Sequence, residues 1–141
     1  MGCLYIKITN ADGKTWILQN HNLSMAFNLY QPSAAKGVLL KKYLPVIARL
    51  PFVKNVFYSF LGVKVLKNYS EYDFVIPICE EILKTKADRV DLNFFLGTPS
   101  RHRKITVQIS AGTKILGYCR SSDSRELWEM FVKEEDMLDY L

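Results

Sequence analysis

Between Asp91 and Arg120 the chain carries three β-rich runs joined by short polar connections, and this pattern constrains the fold more than any other part of the sequence. Asp91-Leu92-Asn93-Phe94-Phe95-Leu96 is followed by a polar loop from Gly97 to Arg103 and then by Lys104-Ile105-Thr106-Val107-Gln108-Ile109-Ser110. A turn at Ala111-Gly112-Thr113-Lys114 leads into Ile115-Leu116-Gly117-Tyr118-Cys119-Arg120. Connections this short return each strand antiparallel beside its predecessor, because parallel pairing needs a crossover of a dozen residues or more. Three antiparallel strands are expected, followed by a helix from about Ser124 to the end.

The preceding residues read as a hairpin and a helical extension. Leu4-Tyr5-Ile6-Lys7-Ile8 and Thr15-Trp16-Ile17-Leu18 flank Asn10-Ala11-Asp12-Gly13-Lys14, and an Asp-Gly between β-rich runs signals a hairpin over residues 3–19. Met25 to Tyr30 reads as a further short strand. Ser33 is placed to cap a helix in which Leu39, Leu40, Tyr43, Leu44, Ile47 and Leu50 recur at helical spacing, with Pro45 as a kink and Pro51 as its end. Phe52 to Leu61 reads as a second helix stopping at Gly62, and residues 73–86 as a third with Asp73 near its start. The expected fold class is α+β in one domain of 141 residues: a hairpin and helical extension over 1–90, then an antiparallel sheet with a helix over 91–141.

Composition narrows the function classes. The cysteines Cys3, Cys79 and Cys119 are odd in number, far apart and form no Cys-x-x-Cys pair, so neither a disulfide framework nor a zinc site is indicated. His21 and His102 are the only histidines and neither has an evident partner in the sequence, which argues against a His-based metal site or triad. Met1-Gly2-Cys3 fails the myristoylation pattern because position six is Ile6. No signal-peptide order and no long apolar run is present, so a cytoplasmic protein is expected. The net charge of +5 is uneven: residues 1–70 hold nine Lys or Arg against the single acid Asp12, while residues 123–141 hold seven acids against Arg125 and Lys133. The basic half calls for an anionic or acidic neighbour.

Two residue pairs suggest chemistry. Alternation along the last strand puts Tyr118 and Arg120 on one face, an aromatic ring and a cation pointing the same way. On the final helix, Leu127, Phe131, Glu134, Met137, Leu138 and Leu141 share a face, so Glu134 points inward and requires a partner, for which Arg120 is the nearest candidate.

This order of parts resembles the N-terminal lobe of the aminoglycoside phosphotransferase and protein-kinase-like superfamily over residues 91–141, with Gly117-Tyr118-Cys119-Arg120 and Lys133-Glu134-Glu135-Asp136-Met137-Leu138 as the closest words. Leu96-Gly97-Thr98-Pro99 and His102-Arg103-Lys104 are also similar to fragments of uncharacterised bacterial proteins with such a lobe and a comparable helical extension. The resemblance implies that Tyr118 stacks on adenine, that Arg120 holds phosphate and is oriented by Glu134, and that the Gly97–Arg103 loop covers the phosphates with Thr98 and Ser100 as donors. It implies ATP and magnesium as cofactors of an intact phosphotransferase acting on a small-molecule hydroxyl.

The sequence departs from the family pattern in three ways. The loop has one glycine instead of several, and an arginine replaces the family's lysine. The C-terminal lobe, with the catalytic Asp, the metal-binding Asp and the substrate pocket, is missing from this sequence. The expectation is therefore a nucleotide-binding-type lobe that is not catalytic alone, whose partner is the missing lobe or, through the apolar surface left uncovered, a second copy.

A competing expectation is a non-enzymatic binding module in which the basic amphipathic segment 36–67 docks on an anionic membrane surface or an acidic protein. Burial of its apolar face in the core is the ordinary reading of such a stripe. Nucleic acid is not an expected partner, because the basic residues alternate with apolar ones and no stacking motif of the usual RNA modules is present.

Overall fold

The computed structural model describes residues 4–69, 80, 84 and 90–122. Six strands among them form one antiparallel sheet in the order β3-β1-β2-β4-β5-β6. They are β1 (Leu4–Thr9), β2 (Thr15–Gln19), β3 (Lys64–Lys67), β4 (Asp91–Leu96), β5 (Lys104–Ala111) and β6 (Lys114–Ser122). The fold is α+β, and the three strands expected between residues 91 and 120 are present and consecutive. The N-terminal hairpin is continuous with them through the β2–β4 pairing.

The β1–β2 turn is organised by Asn10, whose Oδ1 accepts the N–H groups of Asp12 at 3.0 Å and Lys14 at 2.9 Å. Gly13 takes φ +77°, and a Cβ there would lie 2.8 Å from the Pro99 ring. Glycine thus serves both the left-handed backbone and the close approach of the β4–β5 loop.

Residues 25–30 do not form the expected strand. A 3₁₀ turn at Asn20–Asn22 leads into α1 (Leu23–Ala26). Leu23, Ala26, Phe27 and Tyr30 are all buried, and their i, i+3, i+4, i+7 spacing is that of one helical face. The turn is tied to the sheet by Asp91, which accepts from Asn22 Nδ2 at 3.3 Å and pairs with His21 Nε2 at 3.1 Å, so His21 does have a partner.

The helix α2 (Ala35–Ile47) begins after Ala34, whose extended backbone (φ −81°, ψ 147°) makes no side-chain cap, so Ser33 is not the cap residue. It continues through Pro45. The next helix, α3 (Lys54–Leu61), ends as expected at Gly62, where φ is +71° and the N–H of Val63 reaches Tyr58 O at 2.8 Å. That bond and Gly62 N–H to Ser59 O form the six-to-one and five-to-two pair of a left-handed helix stop. The expected helices over 73–86 and from 124 lie outside the described residues, apart from isolated positions.

The sheet has two differently used faces. Ile6, Ile8, Trp16 and Leu18 pack under Leu23, Ala26, Phe27, Tyr30, Leu40, Leu44 and Tyr58. On the opposite face Tyr5, Ile17, Leu92, Phe94, Leu96, Ile105, Val107 and Ile109 form a second buried cluster, in which the β4 and β5 residues oppose one another pairwise.

Candidate functional site

The helix-covered face changes character along the sheet. Strand register places Trp16, Phe95, Thr106 and Arg120 in one row, and Asn93, Gln108 and Tyr118 in the next. The row ends on β1 and β2 are apolar and lie under the helices, whereas the ends on β5 and β6 are polar. Tyr118 is 54% exposed and Arg120 is also exposed. Tyr118 is therefore not a core aromatic. Ser110 belongs to the polar half too, and its buried Oγ has no hydrogen-bond partner among the described residues.

Alternation fixes this presentation. Cys119, between the two, packs into the opposite cluster opposite Val107, and burial raises its thiol above the ordinary range. A register shift between Ile109 and Ser110 lets Leu116 join the same cluster. With Cys119 and Leu116 anchored on one side, Tyr118 and Arg120 emerge on the other. Glu134 lies outside the described residues.

The Gly97–Arg103 loop joins β4 to β5 at the end of the sheet where Arg120 stands, since Arg120 opposes Thr106. Its geometry gives Gly97 a structural reason: Gly97 N–H donates to Lys104 O at 2.9 Å, and a Cβ at Gly97 would lie 3.2 Å from that same oxygen. Thr98 and Ser100 are exposed, and Ser100 Oγ accepts the N–H of His102 at 3.2 Å. Arg103 clamps the loop, donating from Nε to Gly97 O at 2.9 Å and from a terminal nitrogen to Gly13 O at 3.5 Å.

A cavity of about 550 Å³ opens on the same face between the β1–β2 turn and the start of α2. Trp16, Tyr30, Phe95 and Leu40 are among its apolar walls, and Asp12, Lys14 and Lys36 stand on its polar side. Trp16 meets Tyr30 edge-on at 4.8 Å and Phe95 at 5.1 Å, which fixes the aromatic part of the lining. Those walls suit a flat or branched apolar group, and the two ammonium groups suit an anionic end. Phe95 also belongs to the row ending at Arg120, two strand spacings or about 10 Å away. Sequence reading missed this cavity because it took 25–30 for a strand; the helical spacing from Leu23 to Tyr30 was the available signal.

Among the described residues no group of three His, Cys, Asp or Glu gathers to hold a metal ion, and no helix is long and apolar enough to cross a membrane. Compared with known proteins, the chain matches no family model, no curated protein and no solved structure.

Proposed function

We propose that the chain supplies the nucleotide-binding-type lobe of a small-molecule phosphotransferase, and that transfer requires a second lobe bearing the catalytic and metal-binding aspartates. The observation that carries this reading is the exposed placement of Tyr118 and Arg120, two residues apart on the polar half of the sheet, beside the loop that joins β4 and β5. An exposed tyrosine on a strand offers a rigid stacking surface for a base, and a guanidinium on the same face offers a bidentate phosphate contact. The meander of β4, β5 and β6 agrees with the strand portion of that order.

Within this reading Arg120 is the main phosphate-binding group. Gly97 is explained by hairpin closure, and Ser100 Oγ accepts His102 N–H while keeping its own O–H to donate, so the loop contributes the Thr98 and Ser100 hydroxyls and backbone N–H groups. ATP, when bound, supplies the phosphoryl group. Magnesium in this scheme belongs to the second lobe.

The test is titration with a fluorescent ATP analogue, displaced by unlabelled ATP. Saturable binding is expected, weakened about tenfold by Tyr118→Thr, as one base–aromatic stack is worth ~1–3 kcal/mol. Arg120→Ala should weaken ATP more than adenosine. Absence of saturable binding, or full affinity in both variants, would overturn the proposal.

A further inference from the structure

The α2–α3 hairpin departs from the ordinary pattern of an amphipathic pair. In α2 the core side is made by Leu40 and Leu44, with Ile47 packed partly against them. A second apolar stripe, Leu39, Tyr43, Val46 and Leu50, recurs at i, i+4, i+7 and i+11 and is exposed throughout. The same doubling occurs in α3: Tyr58 is the one buried side chain of the helix, while Val53, Val56, Phe57 and Phe60 form an exposed stripe at i, i+3, i+4 and i+7. At the corner between the helices Phe52 is 94% exposed, and Phe60 is 84% exposed. Among the described residues core packing accounts for one stripe of each helix and leaves the other exposed.

Charge narrows what the second stripe can face. From Gly13 to Tyr69 there is no acidic residue, whereas eight Lys or Arg are present. Lys42 on α2 and Arg49 in the turn after it are exposed, and the Lys42 ammonium lies 5.3 Å from the Tyr43 ring centre. An acid-free stretch that combines exposed Phe, Tyr and Val with cations matches the boundary of an anionic bilayer, where rings enter the acyl layer and ammonium groups meet headgroup phosphates. An apolar protein partner would account for the rings and leave the one-signed charge unused. With helices of 13 and 8 residues, the hairpin is suited to lie in the interface.

We infer that the α2–α3 hairpin docks the protein on an anionic phospholipid surface, with Phe52 and Phe60 inserted and Lys42 and Arg49 in the headgroup layer. Because it uses elements remote from Tyr118 and Arg120, this inference stands or falls separately from nucleotide binding.

The experiment is sedimentation of the full chain with vesicles of phosphatidylcholine alone or with about 30% phosphatidylserine, combined with its mass in solution by light scattering. Binding is expected to the anionic vesicles, to weaken with salt, and to fall about tenfold both in Phe52→Ser/Phe60→Ser and in Lys42→Glu/Arg49→Glu. All four positions are exposed, so unchanged circular dichroism should accompany these losses. Equal binding to neutral vesicles, or retention by the charge-reversed variant, would overturn the inference. So would a dimer abolished by the serine substitutions with no vesicle binding, which would assign the face to a second copy.

Discussion

Asn93 and Gln108 face each other across β4 and β5, both buried, with Asn93 Nδ2 donating to Gln108 Oε1 at 3.2 Å. The pair continues in both directions. Asn93 Oδ1 accepts Gln19 N–H from β2 at 2.8 Å, and Gln108 Nε2 donates to Met25 O in α1 at 3.4 Å. Two amides thereby connect three strands and a helix where the apolar half of this face meets its polar half.

Breaking this chain at Asn93 strands a buried donor at Gln19 and a buried acceptor at Gln108. Asn93→Leu should therefore cost about 2 kcal/mol or more of unfolding free energy, since each orphaned buried group costs ~1–3 kcal/mol. Gln108→Leu should cost a similar amount, and the double variant less than the sum of the singles, because the shared bond is lost only once. Urea unfolding of the four proteins checks the cycle, and strict additivity would show that the two amides act independently.

Glycine positions separate conformational strain from steric crowding. At Gly62 the backbone is left-handed and nothing lies within 4 Å of an added Cβ, so Gly62→Ala should cost only the left-handed penalty of about 1 kcal/mol. Gly37 presents the reverse case. Ala has the better helix propensity by ~1 kcal/mol, but its Cβ would lie 2.5 Å from Pro32 Cβ and 2.9 Å from the Tyr30 hydroxyl. Overpacking of this kind costs ~1–3 kcal/mol, so the steric effect should win and Gly37→Ala should lower the urea midpoint.

Alkali should destabilise the fold in a defined order. Burial raises the Cys119 thiol above its ordinary 9.0 and the Tyr30 and Tyr58 hydroxyls above their ordinary 10.0. Each proton is held more tightly in the folded chain, so the associated stability is complete below the unfolded pKa and is lost as pH rises through the folded one. Urea midpoints measured at about pH 7.5, 9 and 10.5 should fall progressively above about pH 9. Tyr30→Phe should reduce the later part of that fall, and an unchanged slope would mean that Tyr30 does not contribute.

The parts of the fold legible in the sequence were those whose local chemistry and tertiary role agree. Asp12-Gly13 between β-rich runs marked the first hairpin, Gly62 marked a helix end, and the alternation from Asp91 to Arg120 marked three strands. The segment 25–30 was misread because Met25, Phe27 and Tyr30 suit a strand by composition, while the tie from Asn22 to Asp91 that favours the turn and helix comes from 69 residues away in sequence. β3 was not anticipated, since Lys64-Val65-Leu66-Lys67 acquires its strand identity only by pairing with β1. The shared face of Tyr118 and Arg120 followed from period-two alternation. Their exposure did not, because which half of a sheet face helices cover depends on chain path. Helical spacing likewise could not say which of two apolar stripes on α2 would meet the core.

Tyr118 and Arg120 should be dispensable for folding, and this distinguishes a ligand-facing pair from a structural one. Both side chains are exposed on the polar half of the sheet, so replacing them removes little buried area. Tyr118→Thr preserves β propensity and should change stability by no more than about 0.5 kcal/mol, the range of exposed substitutions. Arg120→Ala should behave similarly. Cys119→Asp, one position away, would set a carboxylate against the second core cluster from a half-buried position and should cost about 1–3 kcal/mol, because a partly desolvated charge replaces an apolar contact. Thermal unfolding of the three variants checks the alternation directly. A loss at Tyr118 or Arg120 comparable to that at Cys119 would give these side chains a structural role and remove the basis for assigning them to a ligand.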